Sequence, residues 1–181
     1  MALTATIYNF DIELANVDRG VYESFALKVA QHPSETSEYL LTRVLAYCLE
    51  YAEGISFSRG LADPDEPPIV IRDLTGALRV WIEIGSPDAD RLHKASKASP
   101  RVAVYTHKDP AQLKRALAGQ RIHKSDALEL YAVDRALLAE LVAMIDRRVK
   151  LAISITDGQL YVTMNGTTVG GTVERFAIDA A

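Results

Sequence analysis

Polar and apolar residues alternate along the first part of the chain. Phe10, Ile12 and Leu14 interleave with Asn9, Asp11 and Glu13, and Phe25, Leu27 and Val29 interleave with Ser24, Ala26 and Lys28. A period of two predicts half-buried strands. Asn16-Val17-Asp18-Arg19-Gly20 between them has turn chemistry, so the chain opens on a long hairpin. After His32-Pro33 the period becomes helical, with Leu41, Val44, Leu45, Cys48 and Ala52 on one face. Ser34 is the expected N-cap, Glu35 lies in the first turn, and Gly54 is the expected stop after about Glu53.

Ile55 to Phe57 reads as a short strand. Asp63-Pro64-Asp65-Glu66-Pro67-Pro68 loses three donors to proline and reads as a loop. Ile69 to Asp73 and Leu78 to Ile84 form a second hairpin around Leu74-Thr75-Gly76-Ala77. Ser86-Pro87 opens a helix running to about Ala98. Arg101 to Thr106 is a strand, Pro110 to about Gly119 a helix, and Leu128 to Val133 a strand. Asp134 caps a helix carrying Leu137, Leu138, Leu141, Val142 and Ile145. The end is a β-meander: Leu151 to Thr156, Leu160 to Met164 and Thr172 to Ile178, with turns at Asp157-Gly158 and Asn165-Gly166. This order predicts one α/β (α+β) domain over residues 1–181. Its expected parts are a mixed sheet with a central αβββαβ unit, an N-terminal hairpin and a C-terminal meander.

The 181 residues are 49% hydrophobic and 24% charged, a globular composition that excludes wholesale disorder. Cys48 is the one cysteine, which excludes an intrachain disulfide and a Cys-rich zinc site. Met1 to Leu14 lacks the pattern of a signal peptide, and no apolar run is long enough to span a bilayer, so a cytoplasmic protein without membrane contact is expected. The net charge of −4 conceals an asymmetry. From Arg91 to Lys124 nine Lys or Arg face only Asp109, a segment of formal charge +8 that leaves −12 for the rest. His93, His107 and His123 lie in the same stretch. Glu50 to Asp90, just before it, carries nine acids against three arginines. An acidic segment followed by a basic one suits a divalent cation beside a polyanion; solvated faces of unrelated elements are the competing explanation.

With the second hairpin turning at Thr75-Gly76, position 83 faces position 68. Trp81, Glu83 and Gly85 then share one face, and Val80, Ile82 and Ile84 the other. Glu83 is thus a carboxylate whose neighbours signal burial, so it should be protonated, paired or metal-bound. Magnesium needs a second carboxylate. Pro68 cannot serve, whereas Glu66 lies two residues before it on the same face, with Asp65 and Asp63 behind. Asp73 is roughly 17 Å away at about 3.4 Å per residue and suits a turn instead. Arg91, Lys94 and Lys97 make a basic ridge on the helix that follows. Trp81 reads as core, and neither His107 nor His123 has metal-ligand spacing.

Asp65-Glu66-Pro67, Asp73-Leu74-Thr75-Gly76, Trp81-Ile82-Glu83-Ile84-Gly85, Pro87-Asp88 and Arg91-Leu92-His93-Lys94-Ala95-Ser96-Lys97 together resemble the YaeQ family of bacterial proteins. The likeness extends from Met1-Ala2-Leu3 through His32-Pro33-Ser34-Glu35-Thr36 to the terminal strands. It implies a restriction-endonuclease-like fold similar to the PD-(D/E)XK nuclease superfamily, whose core has the αβββαβ order. Two positions depart from that superfamily's pattern. Pro68 fills the aspartate slot, and Gly85 fills the lysine slot two residues after Glu83. Migration of the missing groups to Glu66 and to Lys94 or Lys97 would preserve a site, and Glu50 or Glu53 could add an acid.

Two functions follow. One is a Mg²⁺- or Mn²⁺-dependent phosphodiesterase acting on nucleic acid. In it Glu83 and Glu66 hold the metal, Lys94 or Lys97 assists, and Arg91, Lys94, Lys97 and Arg101 grip phosphates. The other is a catalytically inactive module of the same fold that binds nucleic acid or a protein partner. A small-molecule site on the terminal meander has no motif behind it.

Overall fold

The structure, a computed structural model, describes residues 4–58 and 65–178; Asp63 and Pro64 of the proline-rich loop lie outside the described residues. The alternating opening forms β1 (Thr6–Asn16) and β2 (Val21–Gln31), antiparallel, with Ile12 opposite Phe25. Helix α1 (Ser37–Leu49) follows. Its cap is Thr36, whose hydroxyl accepts from Tyr39 N at 3.1 Å, and not Ser34 as expected. Ser34 Oγ is engaged by His32 Nδ1 at 2.7 Å, and Glu35 N closes a turn on His32 O, so the chain enters the helix two residues later.

α1 is buried far beyond one face: every residue from Leu40 to Cys48 is inaccessible, including Thr42 and Arg43. Thr42 Oγ1 donates to Glu38 O, and Arg43 Nη2 donates to Ala30 O and lies 3.6 Å from Glu35 Oε2. The helix ends at Leu49, short of Glu53. Gly54 has a different task from stopping it. β3 (Ile55–Phe57), β4 (Ile69–Arg72) and β5 (Leu78–Ile84) form an antiparallel set. At their edge Gly54 has φ +88°, and a Cβ there would lie 1.9 Å from Arg72 O.

The β4–β5 register is the expected one, with Ile69, Val70 and Ile71 opposite Ile82, Trp81 and Val80. It shifts after Ile71, where Arg72 pairs with Leu78, because Asp73 N bonds Ala77 O and the loop is Leu74-Thr75-Gly76. Helix α2 (Ala89–Ala98) is capped by Asp88, whose Oδ1 accepts from Arg91 N, rather than by Ser86. The ladder outlasts β5 by one bond, Gly85 N to Tyr105 O, which delays the helix. Then come β6 (Arg101–Thr106), α3 (Pro110–Leu117) capped by Asp109, a 3₁₀ turn at Ser125–Ala127, β7 (Glu129–Val133) and α4 (Arg135–Met144) capped by Asp134. β8 (Arg148–Thr156), β9 (Gln159–Met164) and β10 (Thr167–Phe176) close the chain.

Among the described residues the strands form one mixed sheet in the order β2-β1-β8-β9-β10-β7-β6-β5-β4-β3. The central order α1-β3-β4-β5-α2-β6 is the predicted one. β10 joins the two halves, its first part pairing with β9 and its last with β7. β5, β6 and β7 are parallel neighbours and covered on both faces. Val80, Ile82, Ile84, Ala103 and Tyr105 pack inward with α1, α4 and the hairpin strands. Trp81, Val102, Val104 and Leu130 pack outward with Leu92 and Ala95 of α2 and Leu113 and Leu117 of α3. The face on which a β5 residue lies therefore decides which core it joins.

Gly54→Ala is expected to destabilise the chain by more than the roughly 1 kcal/mol of an unfavourable positive φ alone, because the added methyl meets backbone that cannot swing aside. Urea denaturation of both proteins measures it, and equal midpoints would show that the β3–β4 edge relaxes freely.

Candidate functional site

Alternation along β5 carries Glu83 to the outer face with Trp81, under the first turn of α2. It is 4% exposed. Its Oε2 accepts from Trp81 Nε1 and from Arg91 Nε, each at 2.8 Å. The Arg91 guanidinium lies 5.8 Å from the Trp81 ring centroid, and its Nη2 donates to Glu66 O at 2.9 Å. Burial pushes the Glu83 carboxyl above the usual carboxylate range, while the Arg91 and Trp81 hydrogen bonds pull it down less strongly. Arg91 thus ties β5, α2 and the loop before β4 to one point.

The other expected site residues are distributed differently. Glu66 is half-buried and meets Arg91 through its main-chain carbonyl. Lys94 pairs with Asp65, both exposed. Lys97 is exposed near the end of α2. Gly85, in the lysine slot, has φ +91°, and a Cβ would stand 3.6 Å from His107 Cε1 and 3.7 Å from Tyr39 Cε2. A lysine there would need a left-handed backbone and would start between two rings. Among the described residues no three His, Cys, Asp or Glu side chains cluster as metal ligands.

Arg101 lies on the opposite, inward side of the sheet, where it forms a network that periodicity alone does not reveal. Its Nη1 and Nη2 donate to Glu50 at 2.7 and 3.0 Å, and its Nε and Nη2 to Glu129 at 2.5 and 2.9 Å. Tyr105 donates to Glu50 and Tyr131 to Glu129, and the two rings stack 4.8 Å apart. The Arg101 hydrogen bonds hold the Glu129 carboxyl below its usual range. Burial and the Glu50 carboxylate push the Tyr105 phenol well up. Glu50 caps the C-terminus of α1, so it belongs here and not beside Glu83. Asn16, Arg19, Glu50, Arg101, Tyr105 and Tyr131 line a cavity of about 370 Å³. The sequence signal was the alternation Arg101, Ala103, Tyr105 beside Glu129 and Tyr131, legible only once β6 and β7 are known to be neighbours.

A basic surface remains on the outer side. His123 N donates to His93 Nδ1 at 2.9 Å, and the two rings meet edge to face at 6.3 Å. This bond fastens the segment 121–124 to α2. Lys124 and Ser96 border one small cleft, and Lys94, Lys97, Arg121, His123 and Lys124 are exposed.

The family model described as "YaeQ protein" matches residues 1–173. The Escherichia coli (strain K12) protein named "Uncharacterized protein YaeQ" is 35% identical over 165 residues, which is 90% of this chain and 91% of that one. The crystal structure of YaeQ protein from Pseudomonas syringae superposes with a TM-score of 0.85 at 32% identity, covering 96% of each chain. That of the YaeQ protein from Xanthomonas axonopodis pv. citri gives 0.80 at 30% identity, covering 97% of this chain and 100% of the other.

Arg101→Ala leaves Glu50 buried without its cation and should cost about 3 kcal/mol or more in urea denaturation. Arg101→Lys should not restore it, since one ammonium cannot bridge two carboxylates side-on. A second outcome concerns pH. Because Glu83 is raised in the folded state, its contribution relative to Glu83→Gln is present below the unfolded carboxyl value and lost as pH rises through the folded one. Denaturation of both proteins at acid and neutral pH should show wild type gaining on the variant toward acid. The opposite trend would mean that Arg91 outweighs burial.

Proposed function

The chain belongs to the YaeQ family, and from that premise we propose that it is a nuclease-fold module without catalysis that binds nucleic acid on the surface formed by α2 and the segment 121–124. The observation that carries this reading is the His123–His93 hydrogen bond. It spans 30 residues of sequence and joins two basic stretches into one exposed surface. A line of such cations displaces counterions from a phosphate backbone, which is the main source of sequence-independent affinity. Lys94 counts toward it despite Asp65, because an exposed ion pair is worth little and can exchange for phosphate.

The metal-dependent phosphodiesterase asks more of Glu83 than its surroundings offer. One of its oxygens already takes two hydrogen bonds, one from a guanidinium whose charge would oppose a divalent cation. Glu66 meets Arg91 through its main-chain carbonyl. Mg²⁺ or Mn²⁺ at that oxygen would compete with Arg91 before lowering the pKa of a bound water.

Fluorescence anisotropy with a labelled oligonucleotide tests the proposal. Affinity should fall steeply with salt, and Lys97→Ala/Arg121→Ala/Lys124→Ala should flatten the log–log slope by about 2 to 3, near 0.9 per lost phosphate contact. A salt-independent Kd, or an unchanged slope in the triple variant, rejects it. With Mn²⁺ present the oligonucleotide should stay intact; cleavage that disappears in Glu83→Gln would establish the phosphodiesterase instead.

A further inference from the structure

The tip of the β4–β5 hairpin presents one apolar side chain to solvent from a well hydrogen-bonded turn. Leu74 is 92% exposed, more than any other large apolar residue among those described. Nothing about its loop is loose. Asp73 Oδ1 accepts from Thr75 N at 2.9 Å, Thr75 Oγ1 at 2.6 Å and Ala77 N at 3.0 Å. Gly76 N bonds Asp73 O, and Arg72 Nη1 reaches across to Gly76 O at 3.2 Å. The Thr75 hydrogen bond holds the Asp73 carboxyl below its usual range, so the turn stays made at neutral pH. A turn whose backbone is held in place before contact loses less freedom on binding.

The tip carries two exposed cations, Arg72 and Arg79. Of the acids beside them, Asp73 spends its oxygen on the turn, and exposed Glu53 precedes Gly54, whose carbonyl accepts from Arg72 N. Position matters as much as charge. β5 and β6 are parallel with Val80 opposite Arg101, so the hairpin projects beyond the N-terminal end of β6. At about 3.4 Å per residue the tip stands roughly 10 Å past that row. α2 runs back over the sheet and ends at Ala98, just before β6 begins, and Lys124–Ala127 lead into β7 at the same end. Lys97, Lys124, Arg72 and Arg79 therefore gather where the hairpin emerges.

We infer that this tip is a wedge for duplex DNA: Leu74 enters the minor groove and separates a base step of a duplex held on the α2 surface, with Arg72 and Arg79 against the flanking phosphates. An apolar wedge among cations is how proteins unstack and bend a duplex from its minor groove. A protein partner could receive the leucine, but two arginines and an adjoining lysine surface favour a polyanion. The inference rests on the binding reading above and adds the class of nucleic acid.

Three measurements on the intact chain separate the two. With a duplex carrying 2-aminopurine, wild type should raise the fluorescence by unstacking, and end-to-end energy transfer should report bending. Leu74→Ser, at a fully exposed position, should keep the wild-type Tm and bind single strands equally. It should bind duplex about tenfold more weakly and neither unstack nor bend it. If Leu74→Ser bends duplex as wild type does while the Lys97/Arg121/Lys124 variant loses binding, the wedge is wrong and the surface right, whatever the tip then contacts, a protein included. If wild type binds no duplex, the wedge falls; binding to single strands alone would leave the surface standing.

Discussion

An ionised carboxylate on a strand covered from both sides has to be met by a cation and by hydrogen bonds, or it will take up a proton. Glu83 is such a group, and the way it is met organises one side of the molecule. Arg91 comes from the first turn of α2, which therefore has to sit over the end of β5. It also reaches the Glu66 carbonyl, which draws the loop before β4 against the same helix. Once that turn is seated, the helical period sends Leu92 and Ala95 into the outer core. Lys94 and Lys97 are left to solvent. The exposed ridge is thus a consequence of how a buried charge is neutralised.

A second pairing on the other side follows the same logic with different partners. Arg101 takes both Glu50 and Glu129, linking the end of α1 to the start of β7 across β6. Arg91 and Arg101 both have the flat fork that can hold two carboxylates, or a carboxylate and a carbonyl, at once. The exposed cations of α2 are lysines, compact and strongly hydrated. Of the nine basic residues between Arg91 and Lys124, these two arginines are therefore committed to the architecture, although their side chains remain 25% and 36% exposed. A charge count along the sequence cannot make that division; only the side of the strand or helix can.

Elements with a period of their own were legible. The hairpin, the β4–β5 register and the α1-β3-β4-β5-α2-β6 order all follow from alternation or from 3.6-residue spacing, and the burial of Glu83 follows from Ile82 and Ile84. Helix starts were not. Ser34 and Ser86 are good caps, but His32 and the prolonged β5–β6 ladder each delayed the helix by two residues, to Thr36 and Asp88. That delay matters at the site, because it puts Arg91 in the first turn above Glu83. Contacts between parallel strands were also hidden. Nothing local says that β6 lies beside β7, so the Arg101 network is invisible in the sequence, where Arg101 reads as a phosphate contact.

A net charge of −4 does not oppose a basic surface at one place on the molecule. Asp11 and Glu13 lie on β1, and Glu23 on β2, at the far end of the sheet. β1 is five strand spacings from β6, roughly 24 Å at about 4.8 Å each. The Debye length in physiological salt is about 8 Å, so an ion near α2 is screened from those carboxylates. What it meets is the local set: Lys94 with its exchangeable Asp65, Lys97, Arg121 and Lys124, with Asp126 close in sequence and the exposed Asp88 and Asp90 at the opposite end of α2. The acidic half sets the behaviour of the whole particle in an electric field, and the short-range contacts of the other half are independent of it. Shape and charge coincide only at the end of the sheet where the β4–β5 hairpin emerges beside the last turn of α2.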